Sequence, residues 1–153
     1  MHAGKNAVQT QSYGPESRGG ACKSDVVISE EEIDFPKVVE PDVLVLMSQQ
    51  AYNDYAEDVK SGGTVILDPD MIPRERDLKN IRVCRVPATR IAEELGRRIV
   101  ANIVMIGAFA AITRLLDEEA VKESVKSNIP KGTEELNIAA FEKGFEYGKS
   151  AKR

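Results

Sequence analysis

The sequence predicts an α/β domain of three layers, a mostly parallel sheet flanked by helices, with a helical C-terminal half. Short apolar runs at 43–47, 64–67 and 81–86 are of the kind that parallel strands show when helices cover both faces. Each run is closed by a capping or turn residue: Ser48, the Asp68-Pro69-Asp70 group, and Pro87. From residue 98 onward the apolar spacing changes to the helical period. A chain of 153 residues fits one domain at the usual 100 to about 200 residues each.

Residues 1–23 are rich in Gly, Ser, Gln and Asn, and punctuate too heavily for a helix, so the sequence predicts a loop there. The β-branched run 24–29 (SDVVIS) reads as a strand, and Glu30-Glu31-Glu32 beyond it as a solvated turn. Pro41-Asp42 introduces the strand at 43–47. Ser48 then caps a helix from Gln49 to about residue 59, which Lys60-Ser61-Gly62-Gly63 ends. Strands follow at 64–67 and 81–86.

In the second half, Thr89 is placed to cap a helix through residue 95, and Gly96 breaks it. Residues 98–113 form a helix apolar on nearly every face, which needs cover all round. Residues 117–127 make a charged amphipathic helix. A last helix starts at Thr133, with Ile138, Phe141 and Phe145 on one face and Gly144 and Gly148 allowing close approach of a neighbour.

Several function classes are excluded. Hydrophobic content of 42% with 30% charged residues suits a folded domain. The net charge of -4, with no basic stripe interleaved with aromatics, gives no footprint for nucleic acid. Residues 1–10 are polar and lack a signal-peptide core, and the apolar run 99–112 is shorter than the about 20 residues of a membrane span, so no membrane partner and a cytoplasmic location are expected. Cys22 and Cys84 have no CxxC pattern and no His companions, so they read as reduced cysteines and not as zinc or iron–sulfur ligands. His2 is the only histidine.

No GxxxxGK[ST], HExxH or GxSxG motif is present, and no catalytic or metal residue is expected in this chain. Asp68 and Asp70, on either side of Pro69, read as turn chemistry in preference to a magnesium site. The sharpest feature is the loop Ser12, Tyr13, Gly14, Pro15, Glu16, Ser17, Arg18, Gly19, Gly20, in which glycines permit close backbone approach and Pro15 stiffens the turn. Its amides and Arg18 could meet an anionic ligand or a partner subunit, or the loop could be a rigid connection tied by Glu16 and Arg18. Ser48 and Gln49 lie at the carboxyl end of a parallel strand, where open α/β sheets place ligands, although capping alone explains the serine. Asn102, polar within an apolar helix, reads as an internal structural contact or a ligand contact.

These residues carry a resemblance. The run from Gln9-Thr10-Gln11-Ser12-Tyr13-Gly14-Pro15-Glu16 to Arg18-Gly19-Gly20-Ala21, then Pro41-Asp42 followed by residues 43–52, resembles the gamma subunits of 2-oxoacid:ferredoxin oxidoreductases. So do Gly62-Gly63-Thr64 through Asp68, Val86-Pro87-Ala88-Thr89, the helix from Ala101-Asn102 to Ala108, and Asn137 through Gly144. The form of the first loop is similar to the 2-oxoglutarate type, with branched-chain 2-oxoacid and pyruvate enzymes as alternatives.

The resemblance implies a complex that converts 2-oxoglutarate and coenzyme A to succinyl-CoA and carbon dioxide while reducing ferredoxin, reversibly. It implies thiamine diphosphate and magnesium between alpha and beta subunits, and iron–sulfur clusters on beta or on a ferredoxin-like delta subunit, with none of these cofactors bound by this chain alone. The gamma subunit would support assembly and the coenzyme A side. Family members usually begin with a strand, a Gly-rich loop and a helix that residues 1–153 lack, so the chain reads as a single gamma-type domain truncated at its N-terminus. An open sheet edge and poor behaviour of the isolated chain are then expected. A non-catalytic anion- or coenzyme-A-binding module, or a scaffold, is the alternative of another class.

Overall fold

The computed structural model describes residues 6–13, 22–35 and 37–151. The chain opens with a hairpin in which β1 (Asn6–Tyr13) pairs antiparallel with β2 (Cys22–Ser29). This corrects the expectation of a loop throughout residues 1–23. Thr10 lies opposite Asp25 and Val8 opposite Val27, so β-branched residues on both strands support pairing that the many polar side chains obscured.

A parallel sheet follows: β3 (Val43–Leu46), β4 (Thr64–Leu67) and β5 (Arg82–Arg85), in the order β3-β4-β5. Alternation along the strands builds the two outer layers. Leu44, Leu46, Val65, Leu67 and Val83 face α1 (Gln49–Tyr55), where they pack with Tyr52, Ala56 and Ile72. Val43, Ile66 and Cys84 face the other way, into the larger core formed by the C-terminal helices. The three-layer reading and the helical second half therefore hold.

The α1 helix is shorter than expected, because no basic residue stands in its last turn. Asp54, Glu57 and Asp58 instead crowd the end where the helix dipole is negative. The next helix, α2 (Ala88–Glu94), starts directly after Pro87, and Gly96 at φ +86° ends the segment. A single 3₁₀ turn, Arg98–Val100, leads into α3 (Ala101–Thr113).

Two further helices complete the layer: α4 (Glu118–Asn128), capped by Asp117 through Ala120 N at 3.3 Å, and α5 (Glu134–Ser150). The tightest packing is between α3 and α5. A side chain at Gly107 would strike the Phe141 carbonyl, one at Gly144 the Val104 carbonyl, and one at Gly148 would lie 2.7 Å from the Ala108 oxygen. Gly144 and Gly148 thus allow the close approach that their positions suggested. On α5 the buried face is Asn137, Ala140, Phe141, Gly144 and Gly148, while Ile138 and Phe145 are only half-buried. Among the described residues no helix is long and apolar enough to cross a membrane.

Candidate functional site: the carboxyl end of the sheet and the hairpin

Three loops meet at the carboxyl end of the parallel strands, and each is tied down by side chains. After β3, Ser48 Oγ accepts from Ala51 N at 3.1 Å, which makes it the N-cap of α1. Gln49 does more: its Nε2 donates to Arg74 O and its Oε1 accepts from Arg74 N, both at 2.9 Å. The amide thus bonds to both backbone groups of one residue, as a neighbouring strand would. One turn on, the buried Tyr52 hydroxyl accepts from Arg76 N at 2.8 Å and donates to Arg76 O at 3.2 Å. Arg76 returns over the Tyr52 ring and bonds Glu57 at 2.8 Å. The connection 74–76 is therefore held against α1 along its whole length.

After β4 stands Asp68, fully buried. Its Oδ2 accepts from Thr89 N at 2.8 Å and from Thr89 Oγ1 at 2.6 Å, and its Oδ1 accepts from Asp70 N at 3.0 Å. The expected role of Thr89 as a local cap is thus corrected. The cap for the first turn of α2 comes from a carboxylate 21 residues earlier, and Thr89 is the donor. A buried carboxylate with three donors is stable where an unpaired one would not be. Asp70 pairs with Arg90, and the Arg90 pKa is raised by that hydrogen bond. Glu75 holds Arg85 through two bonds of 2.9 and 2.6 Å and raises its pKa in the same way.

These side chains leave little for a metal. Asp68 holds the turn after β4 and the start of α2, and Asp70 pairs with Arg90. Among the described residues no group of three or more His, Cys, Asp or Glu could hold an ion. Cys22 is exposed on β2 and Cys84 is buried in the core behind β5. Among the described residues, the donor set therefore does not fit a cysteine-ligated cluster.

The glycine-rich candidate loop joins the two strands of the hairpin. Gly14, Pro15, Glu16, Arg18, Gly19 and Gly20 lie outside the described residues; Ser12 and Tyr13 end β1, opposite Lys23 and Cys22. Asn102 is placed on the outer face of α3, with its Oδ1 accepting from Ile103 N at 2.9 Å. It is not a buried contact. It lies on α3, whereas Ser48 and Gln49 stand at the start of α1, the helix on the other face of the sheet.

Two features had no strong sequence signal: the Asp68 to Thr89 link, and a cleft of about 810 Å³ that β2 forms with β3 and with the first residues of β4 and β5. Its walls include Val27, Val43, Val45, Phe109 and Ile112, with Arg82 at one side.

Residues 1–147 match the family described as pyruvate ferredoxin/flavodoxin oxidoreductase. The chain belongs to that family. It is 50% identical over 151 residues to the 2-oxoglutarate synthase subunit KorC of Methanocaldococcus jannaschii, covering 97% of this chain and 81% of that one. The same-named subunit of Methanothermobacter marburgensis is 53% identical over 152 residues, covering 95% of this chain and 82% of that one. Among solved structures, the keto/oxoacid ferredoxin oxidoreductase gamma subunit of Geobacter sulfurreducens superposes with a TM-score of 0.84 at 40% identity, covering 97% of this chain and 83% of that chain. The family expected from the ordered motifs is thus confirmed over nearly the whole sequence.

Proposed function

We propose that this chain is the gamma-type subunit of a 2-oxoglutarate:ferredoxin oxidoreductase, acting in the cytoplasm with alpha and beta subunits and a ferredoxin-like delta subunit. The observation that carries the reading is identity at half of all positions, over 151 residues, with a 2-oxoglutarate synthase subunit. In the reaction, the bond between the carboxylate and the oxo carbon breaks and carbon dioxide leaves. The acyl carbon forms a thioester with coenzyme A, and the two electrons released pass to ferredoxin. Thiamine diphosphate, magnesium and iron–sulfur clusters belong to the partner subunits in this reading, in keeping with the donor set described above.

The part left to this chain is assembly and the coenzyme A side. The hairpin presents the loop that contains Gly14, Pro15, Glu16, Arg18, Gly19 and Gly20, where backbone amides and one guanidinium suit the phosphates of coenzyme A or a partner carboxylate. At the sheet end, the Ser48 and Gln49 side chains are already bonded within the chain.

The test is co-expression with the alpha, beta and delta subunits, followed by coenzyme-A-dependent ferredoxin reduction. 2-Oxoglutarate should be used at least tenfold better, in kcat/KM, than 2-oxoisovalerate or pyruvate. A complex that forms but prefers either competitor refutes the substrate, and failure to form with an N-terminally extended chain refutes the subunit role.

A further inference from the structure

The turn after β4 is fastened to the elements beyond it by three side chains in close succession. Asp68 bonds Thr89, and Asp70 pairs with Arg90. The third is Met71, whose Sδ accepts from Arg98 Nη2 at 3.1 Å. Two of these ties use a carboxylate, whereas the third uses a thioether, which is a weak acceptor. Arg98 is otherwise loosely held: Glu93 Oε1 stands 4.0 Å from its Nε, and its side chain is 61% exposed.

The backbone on both sides of this contact is anchored. The Asp68 carbonyl accepts from Met71 N at 3.1 Å and from Ile72 N at 3.0 Å, and Ile72 is buried in the core on the α1 side. Val100, two residues past Arg98, is buried in the larger core on the opposite face. The Met71 to Arg98 contact therefore joins one layer to the other at the carboxyl end of the sheet.

Met71 also differs from the other described methionines. Met105 is buried in the larger core and Met47 packs against it, whereas Met71 is half-buried and belongs to neither core. Oxidising a core methionine disrupts packing, because a polar oxygen replaces apolar surface. At Met71 neither core is disturbed, and the new oxygen meets a cation.

We propose that Met71 is a site of oxidation to methionine sulfoxide, and that the modification latches the turn after β4 to the 3₁₀ turn through Arg98. The oxidant is a peroxide. A sulfur lone pair attacks one peroxide oxygen, the O–O bond breaks as the S–O bond forms, and the proton on the transferred oxygen passes to the departing hydroxide, which leaves as water. Sulfur is oxidised by two electrons and the peroxide reduced by two. The sulfoxide oxygen is a stronger acceptor than the thioether, and its bond to a guanidinium is charge-assisted. The third tie then resembles the other two, and the carboxyl end of β4, where the candidate site is built, stiffens. Nothing in this latch depends on the substrate or the partners of the complex.

Graded hydrogen peroxide on the full chain, with peptide mapping by mass spectrometry and hydrogen exchange, tests this. Met71 should take up one oxygen about tenfold faster than Met47 or Met105, and amides at 98–101 should then exchange about fivefold more slowly. Arg98→Ala should still be oxidised at Met71 but lose the slowing. Met71→Leu should show no slowing on peroxide treatment, which separates the effect from oxidation elsewhere in the chain, and Met71→Gln, whose side-chain carbonyl stands in for the sulfoxide, should slow the same amides without peroxide. Oxidation of Met71 no faster than that of Met47 overturns the site. Exchange at 98–101 that is unchanged or faster after oxidation, or slowing that persists in Arg98→Ala or Met71→Leu, overturns the latch.

Discussion

Replacing Gly144 by alanine puts the α3–α5 crossing to a quantitative test. A Cβ at this position would drive into the Val104 carbonyl, and both Cα and C of Val104 stand within 3.0 Å of it. The obstacle is backbone inside a helix, so relief requires α3 and α5 to separate instead of one side chain turning away. Overpacking of a tight core costs about 1–3 kcal/mol, and a backbone obstacle belongs at the upper end. Alanine recovers roughly 1 kcal/mol of helix propensity over glycine. The net expectation is a loss of about 2 kcal/mol, or roughly 4–8 °C in Tm for a chain of this size. Thermal and urea unfolding monitored by circular dichroism measure it, with Lys143→Ala, one residue away on the exposed face, as the control. If Gly144→Ala is as stable as the parent or more so, propensity outweighs contact, and the close crossing is not what holds the helical layer on the sheet.

Asp68→Asn should cost about 2–3 kcal/mol, because an amide NH₂ must then face a donor where a carboxylate oxygen accepted, in a fully buried site; faster exchange at Thr89 N than elsewhere in α2 would locate the loss. Glu142 holds Lys122 across α4 and α5 and raises its pKa above the ordinary 10.5. The charged lysine is favoured in the folded state, so the stabilisation is present in full below 10.5 and fades as pH rises through the folded-state value. A Glu142→Gln variant should therefore differ from the parent by a constant amount between pH 7 and 9 and converge on it only at stronger alkalinity, which a Tm series against pH would show. Arg18→Ala should weaken assembly or raise the KM for coenzyme A while changing fold stability by less than about 0.5 kcal/mol; unchanged assembly and kinetics would return Arg18 to a structural tie with Glu16.

The strands at 43–46, 64–67 and 82–85 were legible because buried parallel strands carry continuous apolar runs that the neighbouring turn residues delimit. The first strand was not. Residues 6–13 contain Gln, Thr and Ser at half of their positions, and their pairing with 22–29 is a cross-strand property that a single window does not display. Thr89 failed as a local cap for a related reason: the side chain that satisfies the helix start is Asp68, which reaches it only once β4 and β5 lie side by side. The Gln49 link to Arg74 has the same character. Helix composition was readable at α3, yet which face stays open depends on the arrangement of the other layers.

That open face changes how α3 is understood. A helix apolar on every side was expected to be enclosed, and the sheet, α2, α4 and α5 enclose it except along Asn102, Ile106, Phe109 and Thr113. Asn102 lies at the end of this stripe farther from the cleft, while Phe109 and Thr113 enter the cleft beside β3. Ile106 is the single exposed large apolar residue of that stripe, and one such residue is ordinary on a folded surface, so composition all round the helix does not by itself dictate full enclosure.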